Sequence, residues 1–363
     1  MKIFVFASSI TSSYWNGAAT YYRGIYKHLH ALGHEITFAE PDIYDRQRHR
    51  DAGSFPYVNV IIYNSPNDIE YLLQRASQAD LVIKHSGVGA ADERLERDVL
   101  ICCQAYNSPM IVFWDVDAPA TLARVEENPR DPFRELVPQY DAIFTYGGGP
   151  RVCRQYLELE AKQCFPIYNA LDPETHYPVA AHSLLRCDLA FVGNRLPDRE
   201  RRVEEFMLRA AELAPEMTFL LGGEGWADKP VPRNLRKIGH VGTDQHNFVN
   251  CSARMVLNIN RDSMASTGFS PPTRVFEAAG AGACVVSDAW TGIEQFFTPG
   301  EEILLASSAE QVVQHLRSVS SEQAKAIGKK MRQRALREHT YAQRAAQAEE
   351  ILQSLRRPAQ VAA

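Results

Sequence analysis

The chain has 363 residues, 45% hydrophobic, 23% charged and 10% aromatic, with 21 Gly and 20 Pro, which excludes collagen-like, coiled-coil and intrinsically disordered classes. Its 39 Lys and Arg against 44 Asp and Glu leave a net charge of −5, which argues against a chain-wide duplex-DNA-binding surface. The length favours two domains over one core, and no run approaches the roughly 18 apolar residues of a membrane-spanning helix.

Lys2–Ala7 opens the chain as an apolar run too short for a secretory leader, with polar residues following at once from Ser8 to Ser13; it reads as a first strand. Glu35–Ala39, Asp80–Lys84, Met110–Trp114 and Ala142–Thr145 are expected strands, and a second set comprises Leu189–Val192, Thr218–Leu221, Met255–Ile259 and Ala283–Ser287. Most are near-continuous Val/Ile/Leu/Phe runs, as strands covered on both faces of a parallel sheet require. Helical patterns separate them, for example Ala19–Leu32, Arg199–Ala214 and Gln311–Val319. The alternation predicts an α/β chain of two Rossmann-like, doubly wound parallel-sheet domains facing a central cleft. A Pro-rich stretch from Phe165 to Pro173, then Pro178, marks a hinge near residues 166–180. The expected domains are 1–169 and 170–338, with a helix over 339–357 packing back on the first. Seven Cys in an odd set without a CxxC pair predict neither a disulfide framework nor a zinc site, and a cytoplasmic location.

In open α/β sheets ligands sit outside the carboxyl ends of the strands, so the residues just after each strand are the candidates. Gly17, in Asn16-Gly17-Ala18-Ala19, can turn the backbone tightly and leave helix N–H groups free for an anion or a sugar hydroxyl; an ordinary βα turn reads equally well. Neither this loop nor Gly147-Gly148-Gly149-Pro150 is a GxGxxG fingerprint, which argues against a dehydrogenase. His85, beside Ser86-Gly87-Val88-Gly89, suits a general base or a cap of the next helix. Asp115 and Asp117 follow the next strand; one is expected to cap structure and Asp117 to act chemically. An Asp-x-Asp pair also resembles a metal-binding motif of sugar-transfer enzymes with another architecture, and no metal is expected here.

The second half is richer. Gly193-Asn194-Arg195 follows its first strand, where a guanidinium can pair with phosphate oxygens; Arg199, Arg201 and Arg202 read as a solvated helix face. Gly222-Gly223-Glu224-Gly225 suits close backbone approach to a nucleotide. In Ser270-Pro271-Pro272-Thr273-Arg274 the prolines start a helix that Ser270 or Thr273 can cap. Its free N–H groups and Arg274 favour a diphosphate, and Glu277, one turn in, can bind vicinal ribose hydroxyls or simply complement the helix dipole.

Taken together these segments resemble glycosyltransferases of the GT-B fold, most closely the CgeB-like (spore-maturation-type) family, related to glycosyltransferase family four. The likeness rests on Asn16-Gly17-Ala18-Ala19 with Leu32-Gly33-His34-Glu35-Ile36-Thr37, on Thr145-Tyr146-Gly147-Gly148-Gly149, on Tyr168-Asn169-Ala170-Leu171-Asp172-Pro173, and on Arg274–Gly282. It implies sugar transfer from a nucleotide-diphosphate-sugar donor held by the C-terminal domain to an acceptor hydroxyl, with no cofactor and no catalytic metal. Arg195 falls at the diphosphate, Glu277 at the ribose, His85 on the acceptor side and Gly17 near the transferred sugar; Gly193, Gly223, Thr273 and Arg274 complete the expected donor site, and Asp117 or His85 would deprotonate or orient the acceptor. One departure stands out. The Glu that family-four enzymes carry eight residues before the ribose ligand is Phe269 here, with Thr267 nearby, and Asn260, Arg261 and Asp262 are candidates to fill part of its role. That gap supports the alternative of a non-catalytic sugar-nucleotide-binding or assembly protein on the same scaffold. The acceptor is open among glycan, lipid, protein, metabolite and nucleic acid. The basic stretch Lys325–Arg337 reads as a solvated amphipathic helix, with weak contact to an anionic membrane surface as the other reading.

Overall fold

The computed structural model describes residues 1–51, 53–103 and 109–356. The chain forms two compact units, one of Met1–Tyr168 with the chain from Tyr341 onward, the other of Asn169–Thr340.

The first unit holds β1 (Lys2–Phe6), β2 (Glu35–Pro41), β3 (Asn59–Tyr63), β4 (Leu81–His85), β5 (Met110–Asp115), β6 (Ala142–Thr145) and β7 (Cys164–Pro166). They form one parallel sheet of seven strands in the order β3-β2-β1-β4-β5-β6-β7. The second unit holds β8 (Cys187–Val192), β9 (Phe219–Gly222), β10 (Leu235–Gly239), β11 (Ala253–Asn258), β12 (Val285–Asp288) and β13 (Leu304–Ala306). Its six strands repeat the order as β10-β9-β8-β11-β12-β13, again parallel. Every expected strand is present, with ends within two residues of those predicted.

In each unit the chain runs outward from β1 or β8, then crosses to the other side at β4 or β11. Loops on the two sides of that crossover diverge and leave room above the strand ends for a ligand. Central strands are buried through, β4 over its whole length, because helices cover both faces. The cores are Phe4, Phe6, Val82, Phe113 and Ile143 in the first unit, and Leu189, Phe191, Leu257 and Val286 in the second.

The helix Tyr341–Arg356 belongs to the first unit and lies on the helix Ala19–Ala31. Gly24 makes that approach possible, since a Cβ there would stand 2.2 Å from the ring of the buried Tyr341. Ala345, Ala348 and Leu352 continue the buried face, and His34 Nε2 meets Glu349 Oε2 at 2.7 Å. Residue 357 of the expected last helix lies outside the described residues.

Candidate functional site

Arg274 spans the crossover of the second unit. Its Nε donates to the Val192 carbonyl at the end of β8 (2.6 Å) and its Nη1 to Asn258 Oδ1 at the end of β11 (3.0 Å). The guanidinium lies over the Phe191 ring, 5.0 Å from its centre, and Arg199 covers the same ring at 5.8 Å. Between them lies Gly193: a Cβ there would be 2.9 Å from Arg274 Nη2 and 3.3 Å from Arg199 Nη2.

Arg199 corrects the reading of this stretch as a solvated helix face. It is 8% exposed, and burial together with the neighbouring Arg274 pulls its guanidinium down to about 9. Arg202 also turns inward, to the buried Asp288 at 2.5 Å, leaving Arg201 exposed as expected. Among the described residues neither Arg199 nor Arg274 makes an ion pair. Two like charges on one aromatic ring, next to bare backbone, call for an anion between them.

Arg195 stands differently. Its Nη2 meets Glu200 Oε1 at 2.6 Å and its Nη1 meets Asp228 Oδ1 at 3.1 Å, with Lys229 joining through Glu200 at 2.9 Å. Two carboxylates therefore already satisfy the group that the sequence assigns to phosphate.

Gly223 has φ of +123°, and a Cβ on it would fall 2.3 Å from the Gly193 carbonyl oxygen. The two glycines meet backbone to backbone, and the Trp226 indole donates to the same Gly193 carbonyl at 2.8 Å. Asn194 Oδ1 accepts the Glu224 N–H at 3.0 Å, which fixes the loop after β9 over the loop after β8.

The helix Thr273–Ala281 begins at Pro272, and no side chain caps it. The expected caps do not fill that role. Ser270 donates to the Gly268 carbonyl at 2.8 Å, and Thr273 lies inside the helix as its first residue, not at the cap. An uncapped start beside Arg274 presents partial positive charge to the same space. Glu277 is 8% exposed. Burial pushes its carboxyl up, but His176, His246 and Arg274 outweigh it and hold the carboxylate below its usual range.

Phe269, in place of the earlier Glu, sits at φ +46° and packs on Gly292, where a Cβ would stand 2.2 Å from its ring. Asn260, Arg261 and Asp262 are engaged in the scaffold: Asn260 N–H donates to Asp288, Arg261 pairs with Asp198 at 2.6 Å, and Asp262 lies 3.4 Å from Arg202.

In the first unit, His85 and Asp117 come from the ends of the neighbouring strands β4 and β5. His85 is 1% exposed, with Nε2 2.6 Å from Tyr26 Oη and Nδ1 3.1 Å from the Trp114 carbonyl. Burial, aided by Lys84, pulls its imidazole down to about 3. Asp115 is the structural carboxylate of its pair, accepting from Ser86 Oγ (2.6 Å), from Tyr156 Oη and from the Asp117 N–H (2.9 Å). Asp117 stands half-buried at the start of the helix Ala118–Glu127. Gly17 leaves open space, with nothing within 4 Å of a Cβ, and it is Trp15, at φ +49°, that takes the left-handed turn before it.

In the basic helix Ser321–Glu338, Arg332 donates to the Gly280 carbonyl and Arg334 pairs with Glu338 at 2.7 Å, so part of its charge is spent inside the unit. No described helix is long and apolar enough to cross a membrane.

Residues 199–350 match the model of a family described as glycosyl transferase-like. No curated protein sequence matches the chain. Among solved structures, Anabaena HepE in complex with UDP-glucose is similar at 12% identity and a TM-score of 0.69, covering 98% of this chain and 100% of that one. A sucrose-phosphate synthase from Thermosynechococcus elongatus is similar at 15% identity and a TM-score of 0.68, covering 98% of both chains. An alpha-glucosyltransferase in complex with UDP is similar at 13% identity and a TM-score of 0.69, covering 98% of this chain and 100% of that one. Residues 199–350 thus carry a glycosyl transferase-like match, and the two parallel-sheet units give the chain the GT-B fold of these glycosyltransferase structures.

Proposed function

We propose that this chain transfers a sugar from a nucleotide-diphosphate-sugar donor to an acceptor hydroxyl, with the nucleotide on the second unit. The observation that carries the reading is the pair Arg199 and Arg274, both on Phe191 at Gly193, next to the uncapped start of Thr273–Ala281. Departure of the nucleoside diphosphate develops negative charge on its terminal phosphate. Fixed guanidiniums and helix N–H groups already aimed there stabilise that charge without reorganising, which is the role a catalytic metal fills elsewhere. The reading is therefore metal-independent, with Arg195 at the outer rim and Gly193 and Gly223 lending bare backbone to the nucleotide.

Glu277 is the proposed ribose ligand: its two oxygens match vicinal hydroxyls, and its carboxyl is held ionised. On the first unit Asp117 is assigned to orient or deprotonate the acceptor. His85, with both ring nitrogens engaged in the core, supports the wall behind it. Gly17 leaves space for the transferred sugar. UDP and UDP-glucose, held by the similar structures, are the first donors to try.

The test is calorimetric titration with UDP-, GDP-, ADP-, CDP- and dTDP-sugars, repeated on Arg274→Ala and Glu277→Gln, followed by an acceptor screen. One nucleotide class that binds wild type and neither variant supports the donor site. Binding that survives both substitutions overturns it. The alternative of a non-catalytic donor-binding protein draws on Phe269, whose ring is packed against Gly292 where family-four enzymes carry a carboxylate. Turnover lost in Asp117→Asn with donor binding retained decides for the enzyme.

A further inference from the structure

Within the second unit, the segment after Asn169 lies against the helix Thr273–Ala281, and three devices fix its path. Asp172 Oδ1 accepts the Glu174 N–H at 3.0 Å and its Oδ2 accepts from Thr175 Oγ1 at 3.1 Å, closing a turn. The Asn247 side chain clamps both sides of His176, accepting the Tyr177 N–H at 3.3 Å and donating to the Thr175 carbonyl at 2.9 Å. Gly280 permits the contact, since a Cβ there would stand 2.6 Å from the His176 carbonyl oxygen.

These devices bury the imidazole of His176 to 1% exposure while leaving both ring nitrogens without a hydrogen-bond partner among the described residues. A buried imidazole with neither nitrogen engaged is uncommon and points to a group that would engage one. What faces it is chemically definite. The His246 ring stacks on it with centres 5.8 Å apart, and His246 Nδ1 lies 3.6 Å from Glu277 Oε2. One ligand atom from each of His176, His246 and Glu277 lies within 4.8 Å of the others.

We propose that His176, His246 and Glu277 form a site for one divalent transition-metal ion of the zinc class, and that an ion there withdraws Glu277 from a donor ribose. The second half rests on the assignment of Glu277 above; the first stands without it. Two imidazoles and one carboxylate suit zinc, cobalt or nickel and not magnesium or calcium, which favour all-oxygen shells. Ligand atoms around a tetrahedral ion at about 2.1 Å stand about 3.4 Å apart, so small side-chain rotations close the cluster and leave a position for water. Catalysis needs no ion in this scheme; the ion opposes donor binding.

The experiment uses the untagged full chain with Co2+ as a spectroscopic probe, Zn2+ as competitor and Mg2+ as control. Expected is a saturable visible absorption at one equivalent of Co2+, displaced by Zn2+ and untouched by Mg2+ at the same concentration. His246→Gln, at a half-exposed position, and His176→Phe, which refills the buried volume, each weaken Co2+ binding at least tenfold, with circular dichroism confirming the fold. Equal Co2+ binding in wild type and both variants overturns the site, as does Mg2+ competing as well as Zn2+. Then UDP-glucose is titrated with and without one equivalent of Zn2+: weaker binding in wild type and no change in His246→Gln is expected, and an unchanged wild-type affinity overturns the coupling. If Glu277→Gln leaves metal-free donor affinity intact while abolishing Co2+ binding, the ribose assignment fails and the metal site stands.

Discussion

Arg274 donates through Nε to the Val192 carbonyl at 2.6 Å, so the residue that carries charge to the candidate donor site also closes the end of β8. Its Nη1 bond to Asn258 ties in β11, and a single ammonium cannot reach both partners. Arg274→Ala and Arg274→Lys are both expected to weaken UDP-sugar binding. A charge-assisted hydrogen bond is worth about 1.5–3 kcal/mol, or roughly 10- to 150-fold in affinity. Arg195→Ala, which removes a group already paired with Glu200 and Asp228, should leave affinity within the error of the titration. The reverse ranking would return the diphosphate to Arg195.

Gly223 and Gly17 separate a structural glycine from an open one. Gly223→Ala puts a methyl 2.3 Å from the Gly193 oxygen at a φ of +123°, and is expected to lower stability by about 1–3 kcal/mol in chemical denaturation and to abolish donor binding. Gly17→Ala meets no atom within 4 Å and should change stability by less than about 0.5 kcal/mol. If Gly17 lies where the sugar passes, that variant loses turnover while melting as wild type.

The strands not foreseen share a position. Asn59–Tyr63, Cys164–Pro166, Leu235–Gly239 and Leu304–Ala306 are the four sheet edges, two in each unit. Central strands covered on both faces must be apolar throughout and announce themselves; edge strands here are short or half-exposed, as in β7, where every residue is partly exposed. The site divides the same way. Glycines and Glu277 are legible because strand ends and a helix start are local features. Arg199 was hidden because a seven-residue amphipathic stretch does not say which face meets Phe191, and the grouping of His176 with His246 and Glu277 depends on the long-range clamp at Asn247. Cys spacing, the usual sign of a zinc site, is silent about a cluster made of two His and one Glu from three segments.

Gly24 tests the packing of the last helix by the sign of an effect. Gly→Ala inside a helix ordinarily stabilises by about 0.5–1 kcal/mol. Here the methyl would meet the Tyr341 ring at 2.2 Å, and overpacking of that kind costs about 1–3 kcal/mol. Gly24→Ala is expected to lower the melting temperature, and less so in a Tyr341→Ala background, where the clashing ring is gone. A double-mutant cycle with no coupling would refute the contact.

His85 carries a pH dependence whose direction follows from its burial. Its imidazole is pulled from 6.5 to about 3 in the folded chain, first by burial and then by Lys84, so the native state holds it neutral where the unfolded chain protonates it. Over that interval the unfolded state binds more protons, and stability therefore rises with pH between about 3 and 6.5 and no longer gains from this group above. One proton of difference corresponds to about 1.4 kcal/mol per pH unit. Replacing His85 by Gln, which keeps polar contact with Tyr26 and the Trp114 carbonyl but cannot titrate, is expected to cost stability at pH 7.5 and to flatten the slope between pH 6 and pH 4.5 by about that amount. Urea denaturation of wild type and variant at matched pH values measures it, with the buried Asp115 and the surface carboxylates common to both. Parallel slopes in the two proteins would mean that His85 takes up its proton in the folded state, and would return it to the acceptor side as a group that titrates there.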